Sequence, residues 1–437
     1  MTDRRTFLKA AAAGGGALFL GSNLTRAAKA AVPSASGVDH IVVVTMENRS
    51  FDHFLGWLPN ADGVQNHAAR FATKDGGRVG NYHLTETMGC AHPDPDHSYE
   101  GGRFQLNGGR MNNFARGHND QFAVGYYTAA DRPFMSRLAL NYTTCDRYFC
   151  AILAETYPNR FFTHAGATDR LHNSSTTSKL PTIWDRLNRP GGPTGRYYFN
   201  DAPFLALWGE KYLSISSPYL QFLIDATAGT LPNVSYVDPR FLDEGSGTSG
   251  DDHPHGDIRA GDAFLAETFH ALASGPNWSR TVLIVTYDEW GGFYDHVVPP
   301  RVTATSPLDT DLAGGKARLG FRVPTIVASP FTKGDPAHPR VVHDLYDHTS
   351  ILKFIESNFG LAPVAARDAS RLRTDPGNLA RTLRSGPGDA RVPGDIPAEL
   401  QPPIVIPCGV LNPGLVKSGT WVGLRDDAIR HGWDLRA

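Results

Sequence analysis

Short apolar, β-branched runs recur along the chain and alternate with stretches of helical periodicity. The runs predict strands at residues 40–45, 233–237, 281–287 and 323–328. Apolar positions at Ala263, Phe264, Phe269 and Leu272 indicate a helix over residues 258–273. A second helix is predicted at residues 349–358. This alternation of strands and helices is typical of an α/β fold.

The predicted strands are continuous apolar runs, with no regular polar alternation. Such runs suit strands that are buried on both faces, so we expect a mostly parallel central sheet with helices on both faces. The stretch from about residue 59 to 141 differs, because it is loop-rich and full of Gly, Asn and His. We interpret it as an insertion that forms one wall of a site, and we expect residues 31–437 to form a single domain.

The first thirty residues have the composition of an export signal. The pair Arg4-Arg5 stands before a short apolar stretch (residues 10–20), and residues 28–30 (Ala-Lys-Ala) match a cleavage site. The alternative is a membrane anchor, but this stretch is too short to span a bilayer, and so is every other apolar segment. We therefore expect export by the twin-arginine machinery, a periplasmic or secreted location, and no transmembrane segment in the mature chain.

Charge and cysteine content exclude further classes of protein. The 437 residues hold 42 Lys and Arg against 44 Asp and Glu, a charge that gives no reason to expect nucleic-acid binding. Five of the basic and one of the acidic residues lie in the first thirty, so the remainder carries a formal charge of −6. Cys90, Cys145, Cys150 and Cys408 are compatible with disulfides but lack a zinc-thiolate spacing, and their connectivity stays open.

Two of the predicted strands end in the same kind of polar residue. The first runs into Glu47-Asn48 and the third into Asp288-Glu289. Ligands of open α/β sheets bind beyond the carboxyl ends of the strands, where buried carboxylates need a partner or a cation. Ordinary polar strand ends are the alternative. Two such ends favour one hard divalent cation held by oxygen atoms, with calcium or magnesium favoured and manganese possible.

Histidines are concentrated in the segments around these strand ends. Near a metal, imidazoles can bind phosphate oxygens or protonate a leaving group, and they also leave zinc open as the metal. A single His is more often structural. The residues concerned are His92, His97, His253, His255, His296, His343 and His348.

Thr156 is the candidate nucleophile. The chain contains no G-x-S-x-G elbow, which argues against a serine α/β-hydrolase, and no P-loop, so it is not a P-loop enzyme. Pro158 indicates the first turn of a helix, so Thr156 is also a plausible helix cap. A helix start receives phosphate well, and a metal-bound Thr hydroxyl becomes a usable nucleophile, so the two roles are compatible.

The strings at residues 39–52, 156–160, 287–296 and 348–354 together resemble one family. It is the bacterial phosphoesterase family of phospholipase C and related acid phosphatases, within the alkaline-phosphatase-like superfamily. The most specific string is Glu47-Asn-Arg-Ser-Phe-Asp52. The resemblance implies an alkaline-phosphatase-like fold and a single-metal site with Thr156 as nucleophile. It implies the metal ligands Glu47, Asn48, Thr156, Asp288 and Glu289. It places His97, His253 and His296 around the phosphate.

The resemblance implies an exported phospholipase C-type phosphodiesterase that forms a phospho-threonine intermediate on phosphocholine-type esters. Thr156 stands where phosphatase members tend to carry Ser, which favours the diesterase. The larger phospholipases C carry extra β-rich C-terminal modules, for which we expect no room after Pro413, and this departure argues against a lipid preference. Aromatic residues near the site strings suit a choline group or simply the core: Tyr157, Trp290, Phe293 and Tyr294. The alternatives are a periplasmic acid phosphatase acting on phosphomonoesters and, from another class, a non-catalytic calcium-binding surface protein.

Overall fold

The computed structural model describes residues 36–65, 69–305, 308, 311–412 and 420–435, so the predicted signal peptide at residues 1–30 lies outside the described residues. The strands are β1 (His40–Met46), β2 (Arg70–Ala72), β3 (Arg78–Gly80), β4 (Tyr82–His83), β5 (Gly125–Tyr126), β6 (Thr143–Cys145), β7 (Tyr148–Phe149), β8 (Gly195–Phe199), β9 (Ser216–Pro218), β10 (Val234–Val237), β11 (Thr281–Tyr287), β12 (Arg301–Thr303), β13 (Lys316–Arg318), β14 (Ile326–Ala328), β15 (Arg340–Val342) and β16 (Tyr346–Asp347). The α-helices are α1 (Phe51–Leu55), α2 (Tyr99–Leu106), α3 (Pro133–Asn141), α4 (Thr156–Ala165), α5 (Tyr219–Ala228), α6 (Ile258–Ala273), α7 (Thr349–Phe359), α8 (Ala366–Ala369), α9 (Cys408–Leu411) and α10 (Thr420–Arg430).

An eight-stranded sheet forms the centre of the fold, in the order β15-β6-β14-β11-β1-β10-β8-β9. β1 pairs in parallel with β10 on one side and β11 on the other. β8 and β9 continue in the same direction, whereas β14 runs opposite to its neighbours β11 and β6. The predicted mostly parallel sheet is therefore confirmed.

Both faces of the sheet are covered. Every residue of β1 and β11 is buried, although successive side chains of a strand point to opposite faces. Around the sheet, α3 and α5 pack against α6, and α4 packs against α7. The predicted α/β architecture is confirmed.

The last predicted strand is shorter than its apolar pattern suggested. Residues 323–328 were expected to be extended, but β14 comprises only Ile326–Ala328. Pro324 has no backbone N–H to donate to a neighbouring strand, so the first part of the run cannot join the ladder fully. The predicted strands at residues 40–45 and 281–287 are present, as is the predicted helix at 258–273.

The stretch between residues 59 and 141 carries two small strand pairs, β2–β3 and β4–β5, and the helices α2 and α3. Its final helix joins the core, because Phe134 and Leu138 are fully buried and the Asp262 carboxylate of α6 accepts from the Phe134 amide at 2.8 Å. The loop before α2 reaches the candidate site described below.

A disulfide between Cys90 and Cys408 joins two positions 318 residues apart in the chain. Cys145 and Cys150 are buried thiols. Among the residues that the structure describes, none of the helices has the length and apolar character needed to cross a bilayer.

Candidate active site

Three neighbouring parallel strands end in buried carboxylates at one edge of the sheet. β1 is followed by Glu47, β11 by Asp288 and Glu289, and β10 by Asp238. The ladder pairs the last residue of β1 with the last residue of β11, so Glu47 and Asp288 leave the sheet side by side. Sequence reasoning missed Asp238, although it follows a predicted strand just as the others do.

Two backbone turns aim these side chains into one volume. Asn48 adopts a left-handed conformation with φ 42°, and Gly291 and Gly292 have φ values of 62° and 72°. A Cβ at Gly291 would collide with the carbonyl oxygen of Asn48, so only glycine permits this close approach. The backbone N–H of Asn48 donates to Asp288 Oδ1 at 3.3 Å, and this hydrogen bond connects the two strand ends.

Thr156 meets these residues at the first position of α4. Its hydroxyl donates to Glu47 Oε2 at 3.3 Å and accepts from Asn48 Nδ2 at 3.1 Å. The same side-chain nitrogen of Asn48 also donates to Glu289 Oε1. Glu155, not Thr156, occupies the cap position of the helix. The Thr156 hydroxyl therefore faces the carboxylates, and the prediction that it is itself the cap is wrong.

Arg160 lies one turn further along α4 and joins three of the carboxylates. Its Nε is 3.0 Å from Glu47 Oε1 and 3.0 Å from Asp288 Oδ2, and its Nη1 is 3.1 Å from Asp238 Oδ1. Burial by itself would lower the pKa of Arg160, but these carboxylates hold it above its usual value. Arg160 is thus a permanent positive charge inside the cluster, a role that the sequence did not reveal.

The negative charge of the cluster exceeds what Arg160 compensates. Burial and then repulsion from Asp288 raise the pKa of Glu47 well above its usual value. Burial likewise raises the pKa of Glu289 to about 8, against the opposing charge of His97. Asn48 Oδ1 is buried and has no hydrogen-bond partner in the part of the chain that the structure describes. Oxygen donors, excess negative charge and an unsatisfied amide oxygen are what a divalent cation requires.

A second polar group borders the first. His97 Nε2 lies 4.0 Å from Glu289 Oε1, and His253 Nε2 lies 3.6 Å from Asp94 Oδ2. The candidate ligand atoms of Asp94, His97 and His253 all lie within 4.8 Å of one another. Sequence reasoning found the two histidines and missed Asp94.

Opposite electrostatic effects act on the two histidines. Burial opposes protonation of His97, but Glu289 and Asp94 raise its pKa to about 9. Burial lowers the pKa of His253 to about 3, and the positive charge of His97 adds to this effect. The neighbouring carboxylates therefore favour the protonated form of His97, and burial favours the neutral form of His253, a combination that suits binding of phosphate oxygens and transfer of a proton.

A comparison with known proteins gives this arrangement a family. The sequence profile described as "Phosphoesterase family" matches residues 38–195 and 183–362. The chain belongs to the phosphoesterase family. All the candidate site residues named above lie within the matched ranges.

Individual relatives agree with the family assignment. Non-specific phospholipase C1 of Arabidopsis thaliana is 33% identical over 359 residues, covering 74% of this chain and 67% of that protein. Phospholipase C B of Mycobacterium tuberculosis is 31% identical over 454 residues, covering 85% of this chain and 84% of that protein. The phosphoesterase is therefore a phosphoric ester hydrolase, and the resemblance inferred from the sequence is confirmed. This excludes the non-catalytic calcium-binding alternative.

A solved structure, that of the phosphonate monoester hydrolase of Agrobacterium radiobacter, aligns with a TM-score of 0.38 and 13% sequence identity. The alignment covers 79% of this chain and 77% of that chain.

In the structure of the phosphoesterase, His296 lies apart from the other predicted site residues. Its Nδ1 lies 2.6 Å from Asp52 Oδ2, and its Nε2 lies 3.1 Å from Asp62 Oδ1. Arg322 contacts the same imidazole at 3.2 Å and forms an ion pair with Asp295. His296 thus belongs to a separate charged group, and its sequence position two residues after Tyr294 gave no sign of this.

The remaining histidines and the nearby aromatic residues have structural partners. His348 Nε2 donates to the Asp288 carbonyl at 2.7 Å and so supports a strand end of the site. Tyr157, Trp290, Phe293 and Tyr294 are all buried in the core, so the core-packing alternative holds for them. Of the other histidines named in the sequence analysis, His92 pairs with Asp120, His255 with the His92 carbonyl and His343 with Asp146.

Proposed function

We propose that the protein is an exported phospholipase C-type phosphodiesterase whose Thr156 attacks the phosphorus of phosphocholine-type esters. The observation that carries this proposal is the position of the Thr156 hydroxyl, which is hydrogen-bonded to Glu47 and Asn48 at the start of α4. A helix start stabilises the negative charge of a phosphate group. Relatives named phospholipase C support the diester as substrate.

The chemistry would proceed in two displacements at phosphorus. Thr156 Oγ1 forms a bond to phosphorus as its proton passes to a neighbouring carboxylate, for which Glu47 Oε2 is placed at 3.3 Å. The ester bond to the diacylglycerol or other alcohol breaks, and the leaving alkoxide takes a proton from the group formed by His97 and His253. Water then attacks the phosphorus and gives a proton back to the histidine group, the bond between phosphorus and Thr156 Oγ1 breaks, and Thr156 Oγ1 recovers the proton held by the carboxylate as the phosphate product leaves.

One divalent cation is part of this proposal, with Glu47, Asn48, Asp288, Glu289 and Thr156 as the residues that would hold it. Bound there, it would supply positive charge for the phosphate and lower the pKa of the Thr156 hydroxyl. The oxygen donors favour calcium or magnesium, and manganese or zinc are the alternatives. Arg160 keeps Glu47 and Asp288 oriented through its Nε contacts with one oxygen of each carboxylate.

The decisive experiment replaces Thr156. Thr156→Ala should lose orders of magnitude in kcat and retain its metal, whereas Thr156→Ser should keep part of the activity because it keeps the hydroxyl. Acid-quenched wild-type enzyme should yield a phosphorylated peptide that contains Thr156. Thr163→Ala is the matched control, since Thr163 lies on the same helix and its hydroxyl bonds a backbone carbonyl, that of Arg160, at 2.8 Å. Full activity of Thr156→Ala would disprove the mechanism.

Substrate class is tested separately. We expect a higher kcat/KM for a phosphocholine diester than for an aryl phosphate monoester, because a diester presents one negative charge and needs fewer cationic partners. A preference for the monoester at every pH would identify the protein as an acid phosphatase with the same nucleophile.

Export by the twin-arginine route is the last part of the proposal. It is supported by Arg4-Arg5 before a short apolar stretch in the sequence. Replacing both Arg4 and Arg5 by Lys should leave the precursor in the cytoplasm, as measured by cell fractionation. Unchanged export of this double variant would contradict the assignment.

A further inference from the structure

Residues 400–412, here called the apolar strap, expose a row of aliphatic side chains. The exposed fractions are 97% for Ile404, 52% for Ile406, 71% for Val410 and 57% for Leu411. No charged residue occurs in the sequence between Glu399 and Lys417. Single exposed aliphatic residues are ordinary, but four within eight positions form a patch of the kind that marks an interaction surface.

The strap is attached to the rest of the protein through its C-terminal part. Cys408, the first residue of α9, is fully buried and forms the disulfide with Cys90. Asn412 adds a hydrogen bond from its side chain to the Cys90 carbonyl at 3.4 Å. The buried cysteine anchors the segment while its aliphatic neighbours point away from the protein.

The fastening point lies between the two loops that carry the histidines of the candidate site. Cys90 precedes Asp94 by four residues, and Cys408 Sγ lies 4.0 Å from the carbonyl oxygen of His255. The two loops are also joined directly, because the Gly89 amide donates to the Pro254 carbonyl at 3.2 Å. A cleft of about 620 Å³ opens between the strap and residues 86–91. A surface bound by the strap would therefore lie next to the loops that carry His97 and His253.

We propose that the apolar strap docks on a zwitterionic lipid surface and that the Cys90–Cys408 disulfide holds it there beside the candidate site. This inference rests on the proposed function, since it presumes a substrate that resides in lipid aggregates. It specifies that the enzyme encounters its substrate in a lipid surface. It also assigns a function to a segment outside the range matched by the family profile, residues 38–362.

The composition of the strap distinguishes a lipid from a protein partner. Its exposed residues are aliphatic, whereas the energetically dominant residues of protein interfaces are Trp, Tyr and Arg. Four side chains are also far fewer than the 20–30 residues that each partner contributes to a stable interface. Aliphatic side chains insert favourably into hydrocarbon even in small numbers.

The surrounding charge favours a zwitterionic over an anionic surface. The strap itself is neutral, and Glu86 lines the cleft beside it. The protein without its first thirty residues carries −6, so an anionic membrane would repel it. Docking driven by apolar side chains should therefore depend little on salt.

The first experiment compares two substrates that differ only in physical state. Ile404→Ser and Val410→Ser should each weaken sedimentation with phosphatidylcholine vesicles about tenfold and lower hydrolysis of vesicle lipid. Their kcat/KM on a monomeric, water-soluble phosphocholine ester should equal that of the wild type. Leu372→Ser is the matched control, because Leu372 is 59% exposed and lies on another segment. Vesicle binding that is unchanged in both strap variants would overturn the proposal.

The second experiment releases the strap. Replacing Cys90 and Cys408 by Ser should reduce vesicle binding by a larger factor than it reduces hydrolysis of the soluble ester, whereas unchanged vesicle binding would overturn the role of the disulfide. Wild-type binding should vary less than about twofold between 0.05 and 0.5 M NaCl. A steep loss with salt would overturn the apolar mode of docking.

Binding partners of the strap other than lipid would give different results. Sedimentation that shows a wild-type dimer and monomeric Ile404→Ser protein would assign the strap to a second copy and overturn lipid docking. The failure of the proposed function is distinguishable, because wild-type protein that binds vesicles and hydrolyses neither ester would refute the phosphodiesterase and support the docking surface.

Discussion

Arg160→Met is the substitution whose effect the structure specifies most completely. Methionine keeps much of the length and the apolar stem of arginine but removes the guanidinium. That group pairs with Glu47, Asp288 and Asp238, all of them buried, and lies 4.5 Å from the centre of the Phe241 ring. Its loss leaves three buried carboxylates without their common cation.

The magnitude follows from these contacts. Removing one partner of a buried ion pair costs about 3–5 kcal/mol, because the charge that remains is no longer compensated. The cost does not triple for three carboxylates, since Glu47 already has a raised pKa and can take up a proton when Arg160 is lost. We therefore expect Arg160→Met to lower the free energy of unfolding by about 3–5 kcal/mol in the presence of a chelator.

A divalent cation should reduce this cost. If the cation binds the same carboxylates, it supplies part of the missing positive charge, so the loss should be clearly smaller at saturating calcium or magnesium. Urea denaturation followed by tryptophan fluorescence measures both values. Arg170→Met is the matched control, because Arg170 is also buried and lies 4.3 Å from the centre of the Phe161 ring, but among the described residues its only ion pair is with the partly exposed Asp169 and not with the carboxylates of the site. A loss below about 1 kcal/mol, or an equal loss with and without cation, would refute the reasoning.

Two further substitutions test the metal and the pH dependence of stability. Asp288→Ala should lower metal occupancy in elemental analysis together with activity, whereas Asp295→Asn, in the separate group around His296, should retain both; the reverse result would move the metal to that group. Burial and then the carboxyl group of Asp368 raise the pKa of Glu356 to about 9, so the stability that this proton contributes is complete at low pH and is lost as the pH rises towards 9. Glu356→Gln should therefore raise the Tm relative to wild type increasingly from pH 5 to 9, and parallel Tm curves would contradict this assignment.

The strand ends of the site could be predicted from the sequence because they follow a local rule. A continuous apolar run specifies a buried strand, and the residue after it lies at the sheet edge, so Glu47 and Asp288 were found directly. The same rule would have found Asp238, which follows the predicted strand at residues 233–237. That run is shorter than the other two and includes a serine, so it is the weaker strand signal.

The remaining contacts could not be predicted because they depend on tertiary structure. Asp94 reaches His253 across 159 residues of chain, and no local pattern distinguishes it from the other acidic residues of its loop. The pairing of Cys90 with Cys408 likewise depends on how the final segment folds back. The local sequence and the resemblance both indicate the hydroxyl of Thr156, but its direction depends on the position of α4 against the sheet.

The parallel order of β10, β1 and β11 separates the residues that set the position of the charged groups from the residues that can set substrate specificity. The carboxylates at the sheet edge follow strands of the buried central sheet, whereas Asp94, His97 and His253 beside them belong to the loops after residues 86 and 242. Changes of length or composition in those loops leave the strand register untouched. Selection can therefore alter which ester is accepted through loop positions other than Asp94, His97 and His253, and a designer who wants a new specificity can randomise those positions while keeping the strands and these three residues constant.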